Sequence, residues 1–295
     1  MKKLNSKLTI CVLLLLTICL LFNSCKKDET YNPERKIKKI YNKYSDGHKY
    51  LAQEWTWDNN KLVRIDYYPM NGYDIYKTEY FTYEDEKLVK IQDNNGYYLI
   101  SYTHSEYDNI DYYRNDDNNL ILNCHFTYNN NKVSKIIFTS YDFWYGKMGE
   151  GDFLSSLLSK DLISNIEQIL LPSTGKSDFP TISTFSYKYD GNNIKEMKWE
   201  INEQQSITFI YKSYDKMQNP FYKYLGLMYH LEQYNVKMVA SKNNLLEVNI
   251  IDSFEPDFLG ITKYSYKYDD DFPIEVEAKT TNLPNDGFKT YYEYE

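Results

Sequence analysis

The 42 acidic side chains of this 295-residue chain are the raw material for catalysis most readily at hand. A glycosidase-type hydrolase needs only two carboxylates facing each other across a cleft. Their abundance is also why they mark no site, because any compact fold brings some pair together. His48, His104, His125 and His230 are scattered, with no His-Glu-x-x-His and no Cys/His spacing that would hold a metal. No Gly-x-Ser-x-Gly elbow and no glycine-rich phosphate loop occurs. The aspartate clusters lack the spacing of a calcium loop and read as turns. The chain calls for no cofactor and no metal, and a carboxylate-based hydrolase is kept as the enzymatic alternative.

Aromatic rings offer the other chemistry. In Tyr141-Asp142-Phe143-Trp144-Tyr145-Gly146-Lys147, Phe143, Trp144 and Tyr145 fall in an expected loop. There they could stack on sugars or anchor a protein partner. Trp144 could equally tuck beneath a neighbouring helix. Trp55 and Trp57 join them as candidate ligand-binding residues, although their strand-like surroundings suit core packing as well. Tyrosine outnumbers phenylalanine 33 to 14, so the hydroxyl itself is favoured. A tyrosine buries a large apolar body and keeps a polar tip, which suits a half-covered sheet.

The elements that must carry these rings are copies of one unit. Phe81-Thr82-Tyr83-Glu84-Asp85-Glu86-Lys87-Leu88-Val89-Lys90-Ile91 recurs position for position from Trp55 to Ile65 and from Phe126 to Ile136. Each copy predicts a β-hairpin: alternating aromatics, an acidic or Asn-rich turn, then an aliphatic return strand. From the second aromatic, apolar residues fall five and eight positions on, and Tyr102, Tyr189 and Tyr268 show the same offsets. Leu62 and Ile65, three apart, would face opposite ways on a regular strand, so either the first plugs the turn or a bulge follows it. Ile37 and Ile40 share that spacing, as though Glu34–Tyr44 were a return strand without its first half. Tyr291–Tyr294 reads as a closing strand.

Two stretches break the hairpin pattern. Near 151–171, Leu154, Leu157, Leu158, Leu162, Ile166, Ile169 and Leu170 lie at helical spacing, ended by Pro172. Asn219-Pro220 supplies a cap and first-turn proline for a second helix near 220–234. The expected fold is mainly β: a long, curved, antiparallel meander of repeated hairpins, part core and part open groove, with two short helical insertions packing on it.

The amino terminus has a basic start, Lys2, Lys3 and Lys7, and an apolar run from Leu8 to Phe22 that is too short for a stable span. Leu21-Phe22-Asn23-Ser24-Cys25 resembles a bacterial lipobox, which implies cleavage before Cys25 and acylation of that cysteine. Lys26-Lys27-Asp28-Glu29 resembles the surface-export signal of Bacteroidota lipoproteins. The expected organisation is a signal peptide over 1–24, a lipid-anchored tether over 25–35 and a single β-repeat domain over 36–295. Losing 1–24 removes three lysines and no acid, moving the net charge from -8 to -11. That balance argues against nucleic-acid or anionic-lipid partners. After processing, Cys124 is alone in the folded part and reads as a packed small hydrophobe.

The hairpin units look like the YD repeats of Rhs-type proteins. Tyr214-Asp215-Lys216-Met217-Gln218-Asn219-Pro220-Phe221, with Ser241-Lys242-Asn243-Asn244, resembles a family of uncharacterised Bacteroidota lipoproteins containing a domain of unknown function. That resemblance implies no catalytic residues. Asn60, Glu86, Asn131 and Asn192 stand where a YD repeat usually has glycine. The expected function is noncatalytic binding of a glycan or protein at the outer-membrane surface. A structural accessory role in an envelope complex is the further alternative.

Overall fold

The computed structural model describes residues 31–43, 47–69, 74–104, 106–141, 180–201, 205–224, 241–252, 258–281 and 288–295. Sixteen strands follow in chain order: β1 (Ile37–Lys43), β2 (Lys49–Asp58), β3 (Lys61–Tyr67), β4 (Lys77–Glu84), β5 (Lys87–Gln92), β6 (Gly96–Thr103), β7 (Glu106–Arg114) and β8 (Leu120–Asn129). The second half comprises β9 (Lys132–Ser140), β10 (Thr181–Asp190), β11 (Asn193–Ile201), β12 (Gln205–Gln218), β13 (Asn243–Asp252), β14 (Phe258–Asp269), β15 (Phe272–Thr280) and β16 (Phe288–Tyr294). Every strand pairs antiparallel with its sequence neighbours, and β1 pairs with β16.

The sheet is therefore a closed barrel, which corrects the open, curved meander with a half-covered groove. Among the described residues there is no helix. The beginning of the second expected helix, Pro220–Lys223, is a turn; the first expected helix, 151–171, lies outside the described residues. Among the described residues no helix covers the aromatic face of the sheet. The sheet curls until that face meets itself, and closure removes both edges.

Each repeat unit is one hairpin. The turns use left-handed backbone at Asn59 (φ 53°), Asp85 (45°), Asn130 (52°), Gly191 (55°) and Asp270 (52°), the twist that joins strands through two residues. A bulge resolves the three-residue offset. Trp57 faces Leu62 and Trp55 faces Ile65, with a register slip between Thr56 and Trp57 that leaves Val63 as the extra residue. Leu62 and Ile65 consequently both point inward and are almost fully buried. The slip recurs at Thr82/Tyr83, Thr127/Tyr128, Lys188/Tyr189 and Lys267/Tyr268.

The lone return strand at the start of the chain finds its missing half at the end. Tyr294 faces Ile37 and Tyr292 faces Ile40, again with one residue, Lys38, slipped between them. Eight hairpins close the ring, the eighth assembled from both ends of the chain.

Inward positions are aromatic and aliphatic, forming one continuous core that includes Trp55, Phe81, Ile110, Phe126, Phe185, Phe209, Val248 and Val276. Outward positions are mostly polar, with Tyr80, Leu99, Ile182 and Ile274 among the apolar exceptions. Along β10 and β11, Lys188 pairs with Glu196 at 2.7 Å and Lys198 with Glu200 at 2.7 Å. Along β14 to β16, Glu275 meets Lys267 at 2.9 Å and Lys289 at 3.4 Å.

Candidate functional site

The sequence-derived binding residues divide between two places. Trp55 and Trp57 face the barrel interior. Trp55 is 3% exposed and packs against Tyr224 and Phe221, with centroids 5.0 and 6.3 Å away. Trp57 donates its indole N–H to the Ile37 carbonyl at 2.8 Å. Phe143, Trp144, Tyr145 and Cys25 lie outside the described residues. β9 ends at Ser140 and β10 begins at Thr181, paired side by side at the rim opposite the tight turns.

At the tight-turn rim, neighbouring hairpins stop pairing before their tips. β3 and β4 last meet at Arg64 and Tyr80, and β7 and β8 at Asn109 and His125. The bulge carbonyls are thus left without a ladder partner, and in six of the gaps a tyrosine from the next hairpin supplies one. Tyr83 donates to Leu62 O (3.0 Å), Tyr102 to Leu88 O (2.7 Å), Tyr189 to Val133 O (2.9 Å) and Tyr214 to Ile194 O (2.6 Å). Tyr266 donates to Leu245 O (2.8 Å) and Tyr294 to Pro273 O (2.8 Å). This geometry explains the excess of tyrosine over phenylalanine: the ring fills the gap and the hydroxyl satisfies a carbonyl that water cannot easily reach. Burial pushes the Tyr83 hydroxyl up to about 12.

Several gaps also hold a cation. Lys61 Nζ lies 5.6 Å from the Tyr83 ring centroid and 2.8 Å from Glu86. Lys87 Nζ lies 4.9 Å from the Tyr102 ring and donates to His104 O at 2.8 Å. Lys132 caps Tyr189 at 5.3 Å and donates to Gly191 O. Lys36 caps Trp57 at 5.8 Å and donates to Asn59 O. The gap between the β6–β7 and β8–β9 tips differs. It opens as a cleft of about 460 Å³ lined by residues that include His104, Glu106, Asp108, His125, Tyr128 and Asn131. Tyr128 Oη is buried there without a hydrogen-bond partner. His125 Nδ1 lies 3.1 Å from Asn109 Oδ1 and 3.9 Å from Asp108.

One excursion at this rim turns inward. Phe221 and Tyr224 are buried, and Tyr31 packs on Tyr224 at 5.0 Å and donates to Pro220 O at 2.5 Å. The motif residues 214–221 and 241–244 hold this plug. Asp215 accepts hydrogen bonds from the Met217 and Asn244 backbone amides at 3.0 and 3.1 Å and from the Tyr268 hydroxyl. Asn219 accepts from Phe221 N at 3.0 Å and donates to Ser241 O at 2.8 Å. Sequence reading singled these residues out without their purpose, which is to aim the plug rather than to meet a ligand.

Toward the opposite rim the wall carries a buried charge cluster. Lys77 Nζ lies 2.8 Å from Glu79 and 3.6 Å from Asp93, and Tyr67 donates to Glu79 at 2.7 Å. Asp93 also accepts from the Asn95 and Gly96 amides at 2.7 and 2.8 Å. The Glu79 and Asp93 side chains are 0% and 1% exposed. This carboxylate pair therefore grips an ammonium inside the protein and offers no face to a sugar. Among the described residues no group of His, Cys, Asp and Glu is arranged to hold a metal ion.

Outside, the polar wall has an aromatic interval. Tyr80 is 51% exposed and Leu99 43%. One row along β4 to β7 runs Tyr80, Gln92, Tyr97, Tyr113 by strand pairing, and Tyr97 stacks on Tyr113 at 5.4 Å with 17° between planes.

Solved structures share the architecture. A porin-like protein from Bacteroides vulgatus ATCC 8482 superposes with TM-score 0.53 at 10% identity, covering 89% of this chain and 99% of that one. A porin-like protein from Bacteroides uniformis ATCC 8492 is 12% identical and covers 90% of this chain and 100% of its own, with TM-score 0.44. No protein-family model and no curated protein matches the chain, so the sequence-level likeness to YD repeats and to the lipoprotein family is not established by them. The likeness to the first structure defines a fold class, the closed antiparallel barrel, and extends no further.

Proposed function

We propose that this chain is a noncatalytic binding protein of the outer membrane, whose barrel stands in water beside the bilayer on an acyl tether at Cys25. The observation that carries the reading is the polarity of the wall. A membrane-spanning barrel turns apolar residues to lipid and polar ones to its lumen, whereas this barrel turns Lys188, Glu196, Lys198, Lys267 and Glu275 outward and its aromatics inward. A lysine on a lipid-facing wall costs about 2–4 kcal/mol at the bilayer midplane. The filled interior leaves the outer surface to do the binding, and the Tyr80–Leu99 interval is the part of it suited to a glycan or protein.

The tether also orients the barrel. Tyr31 is locked into the plug at the tight-turn rim, and six residues from Cys25 reach at most about 20 Å. That rim would face the membrane. The opposite rim, where β9 ends and β10 begins, would face away.

Three measurements test the reading. Cys25→Ala should move the protein from the membrane fraction to the soluble one. Wild-type protein added to planar bilayers should produce no conductance steps; regular steps would replace the reading with a pore. Glycan-array or pull-down signal should fall with Tyr80→Ala or Trp144→Ala, and binding untouched by both would remove these two surfaces as the site.

A further inference from the structure

The gaps between hairpin tips are variations on one site, and the lysines show what that site holds. Lys61, Lys87 and Lys132 each begin the return strand of a hairpin, and Lys36 immediately precedes the equivalent first aliphatic, Ile37. Each places its ammonium over the aromatic ring of the next hairpin and against an oxygen at that hairpin's turn. Three other gaps are filled differently: by Asn193 with Asn243, by Asp215 with Asn244 and Tyr268, and by Arg35 over Tyr294 at 4.8 Å. In the remaining gap the residue at the lysine position is Glu106.

Its other parts are retained. Tyr128 supplies the ring, the turn at Asn130 and Asn131 the rim, and the cleft has a volume of about 460 Å³. Among the described residues no cation lies over Tyr128. The wall that elsewhere contributes a positive charge here contributes Glu106, with Asp108 beside it. We propose that the cleft between the β6–β7 and β8–β9 hairpin tips binds a primary alkylammonium group, which takes the place over the Tyr128 ring that lysine occupies in the equivalent gaps and pairs with Glu106. An aromatic face and a carboxylate on one cation are the usual components of such recognition. This site is separate from the Tyr80 surface and does not depend on it.

The test is calorimetric titration of the full-length protein in detergent with N-acetyl-lysine methylamide, and with its norleucine analogue, which keeps an alkyl stem and lacks the charge. The lysine amide should bind saturably and the norleucine amide should not. Glu106→Gln should weaken binding about tenfold. Glu106→Lys should abolish it and raise Tm by a few degrees, because the new side chain fills the cleft. Equal binding of both amides, no saturable binding, or unchanged affinity in the folded Glu106→Lys protein would overturn the proposal. Because the tight-turn rim would face the membrane, a second arm compares vesicles with ethanolamine and choline headgroups. Retention on ethanolamine vesicles that is lost in Glu106→Lys makes the ligand a lipid headgroup; binding of the soluble amide alone makes it a lysine-like side chain.

Discussion

Ile37 and Tyr294 lie opposite each other across the seam of the barrel, occupying the positions that Leu88 and Tyr83 hold within a single hairpin. Glu295 N already donates to Lys36 O at 3.0 Å. Four residues separate Tyr83 from Leu88, so joining Glu295 to Lys36 through an inserted Asn-Gly pair would rebuild the same unit.

A circular permutant joined in that way, and opened at the Gly191–Asn192 turn, should fold with the far-UV spectrum and cooperative melting of the parent. Deleting 288–295 should leave no cooperative transition, because Ile37 and Ile40 lose their partners and the sheet regains two edges. A permutant that fails to fold would show the seam to be unlike the other hairpins.

The tyrosine hydroxyls bridging the hairpin tips should be individually measurable. Tyr83→Phe and Tyr102→Phe each leave a bulge carbonyl unmet and should cost about 1–3 kcal/mol in urea unfolding. Tyr128→Phe removes a hydroxyl that makes no hydrogen bond and should change stability by less than about 0.5 kcal/mol. Equal costs at all three sites would mean that the ring alone carries the effect.

Alkaline pH should unfold the protein abruptly. Burial raises the Tyr83 hydroxyl from 10.0 to about 12 and also holds those of Tyr67, Tyr187, Tyr211 and Tyr266 well above their ordinary range. An unfolded chain releases these protons near pH 10 while the folded one retains them. Stability is therefore fully present below pH 10 and falls as pH rises from there through the folded-state values. Tyrosinate absorbance and circular dichroism should change together in one step, whereas gradual titration of a still-folded protein would show the rings to be accessible.

Lys77→Met would leave Glu79 and Asp93 facing each other inside the wall. A loss of about 3–5 kcal/mol is expected, the usual cost of removing one partner from a buried ion pair. Adding Glu79→Gln should recover part of it. Thermal melts of the two variants decide the point, and a Lys77→Met protein as stable as wild type would show that water reaches the cluster.

The periodic parts of this protein were legible in its residues. Aromatic alternation, Asn- and Asp-rich turns and the offsets of five and eight specify hairpins, because side-chain alternation and turn geometry depend only on residues close in the chain. Even the half-hairpins at Ile37–Ile40 and Tyr291–Tyr294 stood out. The start of the helix expected from Asn219-Pro220 is a turn, which lets Phe221 and Tyr224 enter the core beside Trp55.

Two features belonged to the tertiary structure alone. Whether Trp55 looks out over a groove or into a sealed interior depends on the twist accumulated over eight hairpins, a sum that no single unit reveals. The open cleft at Tyr128 likewise appears only when Glu106 is set beside Lys61, Lys87 and Lys132 in space. Local periodicity determined the strands and which residues share a face; pairing between the two ends of the chain decided that the aromatic face is shut in, because closure satisfies the edge groups that an open sheet would expose.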